Sequence, residues 1–229
     1  MGRPLKVLLV HGAWANASSW ALVITRLQAR ALEVVSIQIP LTSFEDDVSA
    51  VRRALAIEDG PILLAAHSYG GGVITEAGND PKVVGLVYIA AFAPDVGESM
   101  ESLLGSAPAT QVDTQVNPDA QGFLKVTEVG MANEVAQDLP AVDAKLLFAT
   151  QTPTSFKCLS GAVTVAAWKT RPCWYLSSTL DRIIPPVLQS RMALAIDAAT
   201  RSVESGHVVL LSKPGDVSDF IAEASTRLS

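Results

Sequence analysis

The apolar run Pro61-Ile62-Leu63-Leu64-Ala65-Ala66 stops abruptly at His67-Ser68-Tyr69-Gly70-Gly71-Gly72 and resumes as Val73-Ile74-Thr75-Glu76-Ala77. A short continuous apolar run reads as a buried strand and the stretch after the glycines as a helix, with almost no chain left between them. Ser68 therefore sits on a tight strand-to-helix turn, the shape of a nucleophile elbow. A serine hydroxyl attacks only if its oxygen protrudes toward a base while nearby backbone N–H groups face the charge that develops on the substrate. Small residues at Ala66 and Gly70 make such a turn sterically possible. The pattern Gly/Ala-x-Ser-x-Gly arises by chance about once in several chains of this length, so its place between strand and helix carries the reading.

Further strand-like runs occur at Lys6–Val10, Leu32–Gln38, Val83–Ala90, Cys173–Ser178 and Thr200–Glu204, with helical patterns between them. The first helix follows Asn16-Ala17-Ser18-Ser19 and carries Trp20, Val23, Ile24 and Leu27 on one face. A second begins near Thr42-Ser43-Phe44-Glu45, where Thr42 and Glu45 predict a capping box. Pro185-Pro186 opens a later helix through Ile196, and another runs from Pro214 to Leu228. This alternation predicts an α/β fold with a mostly parallel central sheet of about six strands flanked by helices. It lapses between Phe92 and Trp168, where Pro94, Gly97, Pro108, Pro118, Gly122 and Gly130 punctuate short helical pieces. A structureless loop of that length inside a compact domain is unusual, so 93–168 is expected to form an inserted helical cap. Residues 1–92 and 169–229 then make the core, within one structural domain overall.

At 229 residues, 49% apolar and 17% charged, the chain can bury a sizeable core and is unlike a disordered one. A net charge of −6, with Arg52-Arg53 as its one basic pair, argues against a nucleic-acid partner. Met1–Lys6 is too short for the apolar stretch of a secretion signal, and Val7–Val10 is only strand-length. The expectation is a cytoplasmic protein, off the membrane, working as a monomer or homodimer. Cys158 and Cys173 are its two cysteines and read as buried free thiols.

Three histidines reduce the search for a base to elimination. His67 adjoins Ser68, and successive side chains on a tight turn diverge, so it reads as packing beside the elbow. His11 ends the first strand inside Val10-His11-Gly12-Ala13-Trp14. His207, just after the last strand, lies on a loop leaving the carboxyl edge of the sheet, the edge that Ser68 faces. The acid should also lie at a strand's carboxyl end, between Ser68 and His207 in sequence. Asp181 follows an apolar strand and precedes a proline-started helix; Asp197 and Glu204 are rivals, placed late in a helix and in a strand. Asp181 would orient the His207 imidazole and stabilise its cation. The oxyanion donors would be the backbone N–H groups of Tyr69 and Ala13, with Gly12 letting that loop approach closely.

With these residues in view, the chain from about Leu5 onward resembles a serine α/β-hydrolase of the small esterase branch that includes plant methylesterases and hydroxynitrile lyases. The resemblance rests on His11-Gly12-Ala13-Trp14, the elbow at Ser68, Asp181-Arg182-Ile183-Ile184-Pro185, and His207 with Leu211-Ser212-Lys213-Pro214. Two departures stand out. Ala66 replaces the usual first glycine of the elbow, and Gly12 and Val208 stand where the lyases have Thr and Lys, which removes the charged helper of cyanohydrin cleavage.

The resemblance implies two-step acyl transfer to water from a small to medium, largely apolar ester. Lactone opening, perhydrolysis, cyanohydrin cleavage and a weakly catalytic ligand receptor are the alternatives. Neither a metal-ligand spacing nor a phosphate-binding fingerprint is present, so no cofactor and no metal are expected. Trp14, Met100, Leu103, Phe123, Phe148, Ile183, Gly12 and Val208 are candidates for the substrate pocket, though each apolar one would serve equally in the core.

Overall fold

The nine strands among the described residues are β1 (Lys6–Val10), β2 (Glu33–Ile37), β3 (Ile62–His67), β4 (Val83–Ile89), β5 (Val116–Pro118), β6 (Phe123–Val126), β7 (Thr154–Ser155), β8 (Cys173–Ser178) and β9 (Ala199–Val203). Six of them pair in parallel in the order β2-β1-β3-β4-β8-β9. The computed structural model describes residues 4–228. Met1–Arg3 and Ser229, the outer ends of the two expected core stretches and part of the Met1–Lys6 leader reading, lie outside the described residues.

Alternation along each central strand divides the core in two. Leu8, Val10, Leu64 and Ala66 face one cluster, and Val7, Leu9, Leu63 and Ala65 face the other. The first cluster is covered by α2 (Phe44–Ile57) and α3 (Gly70–Ala77), the second by α1 (Ala21–Gln28) and the Pro214–Thr226 helix. Burial on both faces explains why β3 reads as an unbroken apolar run. Among the described residues no helix is long and apolar enough to cross a membrane.

Two local expectations are corrected. The cap of α2 is Ser43, whose side chain accepts from the Asp46 N–H at 3.1 Å, while Thr42 donates to the Asp46 carboxylate at 2.7 Å. The helix therefore starts one residue later than a Thr42–Glu45 box requires. Leu41 just before it is left-handed, at φ 59°, its amide held by Asp47 at 2.7 Å.

The 93–168 segment is not purely helical. Alongside α4 (Met100–Gly105) and further short helices it contains β5, β6 and β7 as an antiparallel sheet. Pro118 and Gly122, read as breaks, bound the hairpin turn: Asp119 Oδ1 accepts from the Gln121 and Phe123 amides at 2.8 and 2.9 Å. Three- and four-residue strands were too short for their alternation to register.

The contact that sets α3 against the sheet is at Gly70. A Cβ there would lie 2.7 Å from the His11 carbonyl oxygen and 2.9 Å from that of Val10. Because both are backbone atoms, at the end of β1 and just beyond it, Gly70→Ala is expected to destabilise the fold by about 1–3 kcal/mol. A lowered urea midpoint at unchanged m-value checks this; an unchanged midpoint would show that α3 can lift off β1 at no cost.

Candidate active site

Ser68 joins β3 to α3 and adopts φ 54°. A left-handed backbone at a residue with a Cβ costs of order 1–3 kcal/mol and persists only where surroundings fix it. Here the Ser68 amide donates to Ile89 at the end of β4 at 3.3 Å, and its carbonyl accepts from Gly71 and Phe92 at 3.1 Å each. Gly12 makes room on the other side, since a Cβ at that position would sit 2.7 Å from Ser68 Cβ. The turn thus holds the hydroxyl away from the chain.

The structure brings Ser68, His207 and Asp181 into one hydrogen-bonded row. His207 Nε2 is 2.8 Å from Ser68 Oγ, and His207 Nδ1 is 2.8 Å from Asp181 Oδ2. A carboxylate only accepts, so Nδ1 carries the hydrogen and Nε2 is free to accept from the serine hydroxyl. All three residues are buried. Asp181 Oδ1 accepts from the Ile183 and Ile184 amides at 2.8 and 2.9 Å, which fixes the carboxylate at the turn after β8. The rivals sit elsewhere: Asp197 adopts a left-handed turn beyond the Pro186–Ala195 helix, and Glu204 just follows β9.

The other two histidines shape the surroundings. Ile39 N–H and Gln38 Nε2 both lie 3.2 Å from His11 Nε2, which makes that nitrogen an acceptor. Nδ1 then donates to the Gly12 carbonyl at 2.9 Å and steadies the loop after β1. His67 Nε2 donates to the His207 carbonyl at 2.9 Å, and the two rings lie 4.8 Å apart. Burial pushes the His11 pKa down to about 4 and that of His67 to about 3, so both are neutral, and His67 is the one that lies against His207. Neutral His67 spares His207 a repulsive neighbour whenever His207 takes up a proton.

Ala13 and Tyr69 border the same cavity as Ser68. Among the described residues neither amide donates to the rest of the chain, and that of Tyr69 stands at the amino end of α3, where the helix dipole favours negative charge. Tyr69 is fixed from its other end by its hydroxyl, which donates to buried Asp47 at 2.7 Å.

The cavity has a volume of about 580 Å³ and mostly apolar walls. Of the pocket candidates offered by the sequence, Trp14 and Ile183 line this cavity, and Gly12, Met100, Leu103, Phe123, Phe148 and Val208 do not. Met100 and Leu103 form the core face of α4, and their neighbour Leu104 turns to the cavity instead. On β6, Leu124 lines the cavity, whereas Phe123 on the opposite face does not. Phe148 lies under the Lys125 ammonium, Val208 packs on the core, and Gly12 contributes close backbone approach. Glu101 and Asp113 also border it, and Phe92, Val112, Val116, Phe156 and Leu159 are further apolar parts of the wall. Sequence could not separate these from core residues, because both are apolar and only the register decides.

The 93–168 segment also grips the two loops that carry Asp181 and His207. Asp138 Oδ2 accepts from the Gly206 amide at 2.7 Å and the Ser205 hydroxyl at 3.0 Å, and Gln137 Nε2 donates to the Leu180 carbonyl at 2.8 Å. Arg182 Nη1 returns the contact to the Asn133 carbonyl at 2.7 Å.

Comparison with known proteins bears on the family and the fold. The sequence profile of the alpha/beta hydrolase family matches residues 7–220. The chain is 28% identical to the alpha/beta hydrolase nvfD of Aspergillus novofumigatus over 96% of both proteins. It is 30% identical to a carbendazim hydrolyzing esterase of Nocardioides sp. over 47% of this chain and 50% of that protein. The crystal structure of polyneuridine aldehyde esterase superposes with a TM-score of 0.82 at 20% identity, over 97% of this chain and 100% of the other.

The two buried histidines tie stability to acid. Unfolded histidine titrates near about 6.5, so below that pH the unfolded chain binds protons that native His11 and His67 refuse. Stability is whole above the unfolded pKa and falls with pH toward the folded values of about 4 and about 3. Asp47, raised by burial, works oppositely and softens the lower end. Urea unfolding from pH 7 to 4.5 should show a falling free energy whose slope approaches the uptake of about two protons, and His67→Gln should reduce that slope. A flat profile would contradict the neutral, buried state of both rings.

Proposed function

The chain belongs to the alpha/beta hydrolase family, and we propose that it is a serine esterase that cleaves carboxylic esters of small to medium, largely apolar substrates through an acyl-enzyme. The observation that carries this reading is the unbroken row from Ser68 Oγ through His207 to Asp181, opening onto an apolar cavity bordered by the Ala13 and Tyr69 amides. His207 Nε2 takes the hydroxyl proton as Ser68 attacks the ester carbonyl, and Asp181 stabilises the imidazolium formed. The two amides hold the oxyanion, the alcohol leaves with the proton from His207, and water repeats the sequence to release the acid.

Ester substrates are supported by the cavity, whose volume of about 580 Å³ suits a small molecule and whose walls are mostly apolar, with Glu101 and Asp113 as the charged residues that border it. The esterase named among the relatives points the same way. The 93–168 insertion acts as a cap in this reading: Leu104, Val112, Val116, Leu124, Phe156 and Leu159 come from it and shape the acyl and alcohol subsites.

Ser68→Ala should lower turnover of p-nitrophenyl esters by roughly 10⁴-fold or more with the fold intact; undiminished activity in a clean preparation removes the assignment. Leu104→Trp should fill part of the cavity, costing hexanoate esters about tenfold or more in kcat/KM while acetate is spared. Equal loss on both chain lengths would mean that Leu104 does not border the acyl subsite.

A further inference from the structure

We propose that Gln189 is a positioning residue for the acid–base pair, holding Asp181 in the one rotamer that serves His207 and restraining the basicity of its carboxylate. This rests on the reading of Ser68, His207 and Asp181 as the reacting set. Gln189 is fully buried on the Pro186–Ala195 helix. Its Oε1 accepts from the Ser178 amide, the last residue of β8, at 3.0 Å. That contact decides which end of the side chain is the NH₂ group. Nε2 then donates one hydrogen to Asp181 Oδ2 and the other to the Ile184 carbonyl, both at 2.8 Å.

Asp181 is thereby held by four donors: the Ile183 and Ile184 amides on Oδ1, and His207 Nδ1 and Gln189 Nε2 on Oδ2. Gln189 and His207 share one oxygen, and this has two effects. The carboxylate cannot rotate away without breaking bonds at both oxygens. The Gln189 hydrogen also withdraws electron density from the atom that stabilises the His207 cation. Removing it leaves a more basic Asp181, a more stable imidazolium and a base that stays protonated to higher pH. The other titratable neighbours are His67, whose ring faces His207, Asp138, which accepts from the Gly206 amide next to His207, Tyr175, whose hydroxyl is engaged on the Ala91 carbonyl, and Glu134 and Arg182, which border a surface hollow with Asp181.

The test is the pH dependence of kcat/KM for a p-nitrophenyl ester, normalised to active sites counted by burst titration so that only folded molecules contribute. Gln189→Leu is expected to move the acid limb upward and to lower kcat about ten- to a hundredfold, with KM within about twofold. Gln189→Glu keeps the shape and places a second carboxyl beside Asp181. It should move the limb up by about one pH unit or more, because loss of the proton shared by the two carboxyls adds negative charge next to His207. A residue that merely fills space would change the active fraction and leave the normalised limb in place. If Gln189→Leu does not fold, the isosteric variant decides. An unmoved limb and unchanged kcat in the folded variants overturn the inference. Ser68→Ala separates the two failures: if it is inactive while the Gln189 variants behave as wild type, only the role of Gln189 falls, and if it retains activity the reacting set itself is wrong.

Discussion

Ser68 is held in left-handed backbone where β3 must become α3 without a loop, and the rest of the site is arranged around that constraint. The turn closes only because two positions carry no side chain: Gly12 passes beneath Ser68 Cβ, and Gly70 lies against the Val10 and His11 carbonyls. The parallel sheet makes the constraint useful. All six strands end at the same edge, so the loops after β1, β3, β8 and β9 converge there with Ala13, Ser68, Asp181 and His207.

A second layer ties the 93–168 segment to this edge at several points. Trp14 is held by Thr154 through its amide and by Leu124 through its indole N–H, which joins the loop of Ala13 to the small antiparallel sheet. Asp47 gathers the Leu41 amide, the Tyr69 hydroxyl and the Cys158 thiol, linking the α2 entrance, the elbow and the helix that brings Leu159 to the cavity. Glu76 on α3 accepts from the Thr164 and Val165 amides at 2.7 and 3.0 Å. The segment that walls the cavity thus also sets the positions of the groups inside it.

Much of this was legible because parallel strands buried on both faces leave continuous apolar runs, and because three histidines and a few acidic residues near the strands' carboxyl ends leave few ways to assemble a row. The strands and the residues at their carboxyl ends could be placed from that pattern alone. The 93–168 segment could not: Val116–Pro118 and Phe123–Val126 are too short for period-two alternation to stand out, and Pro118 and Gly122 look the same in a hairpin as in a helix break. Cavity residues were hidden for a related reason, since Leu103 and Leu104 differ only in the helix face they occupy. Gln189 and Asp138 were invisible because a single polar residue on a helix or loop gives no sign of the backbone groups it will meet.

The central claim is that the Ser68 hydroxyl is the nucleophile, made reactive by His207 and aimed into the cavity. Its most direct test is covalent capture with an alkyl fluorophosphonate, followed by intact-mass measurement and peptide mapping. The account predicts one adduct per chain, on the peptide carrying Ser68, forming in step with the loss of esterase activity and prevented by His207→Ala. An adduct on another residue, or full activity retained by a chain quantitatively labelled at Ser68, would contradict it.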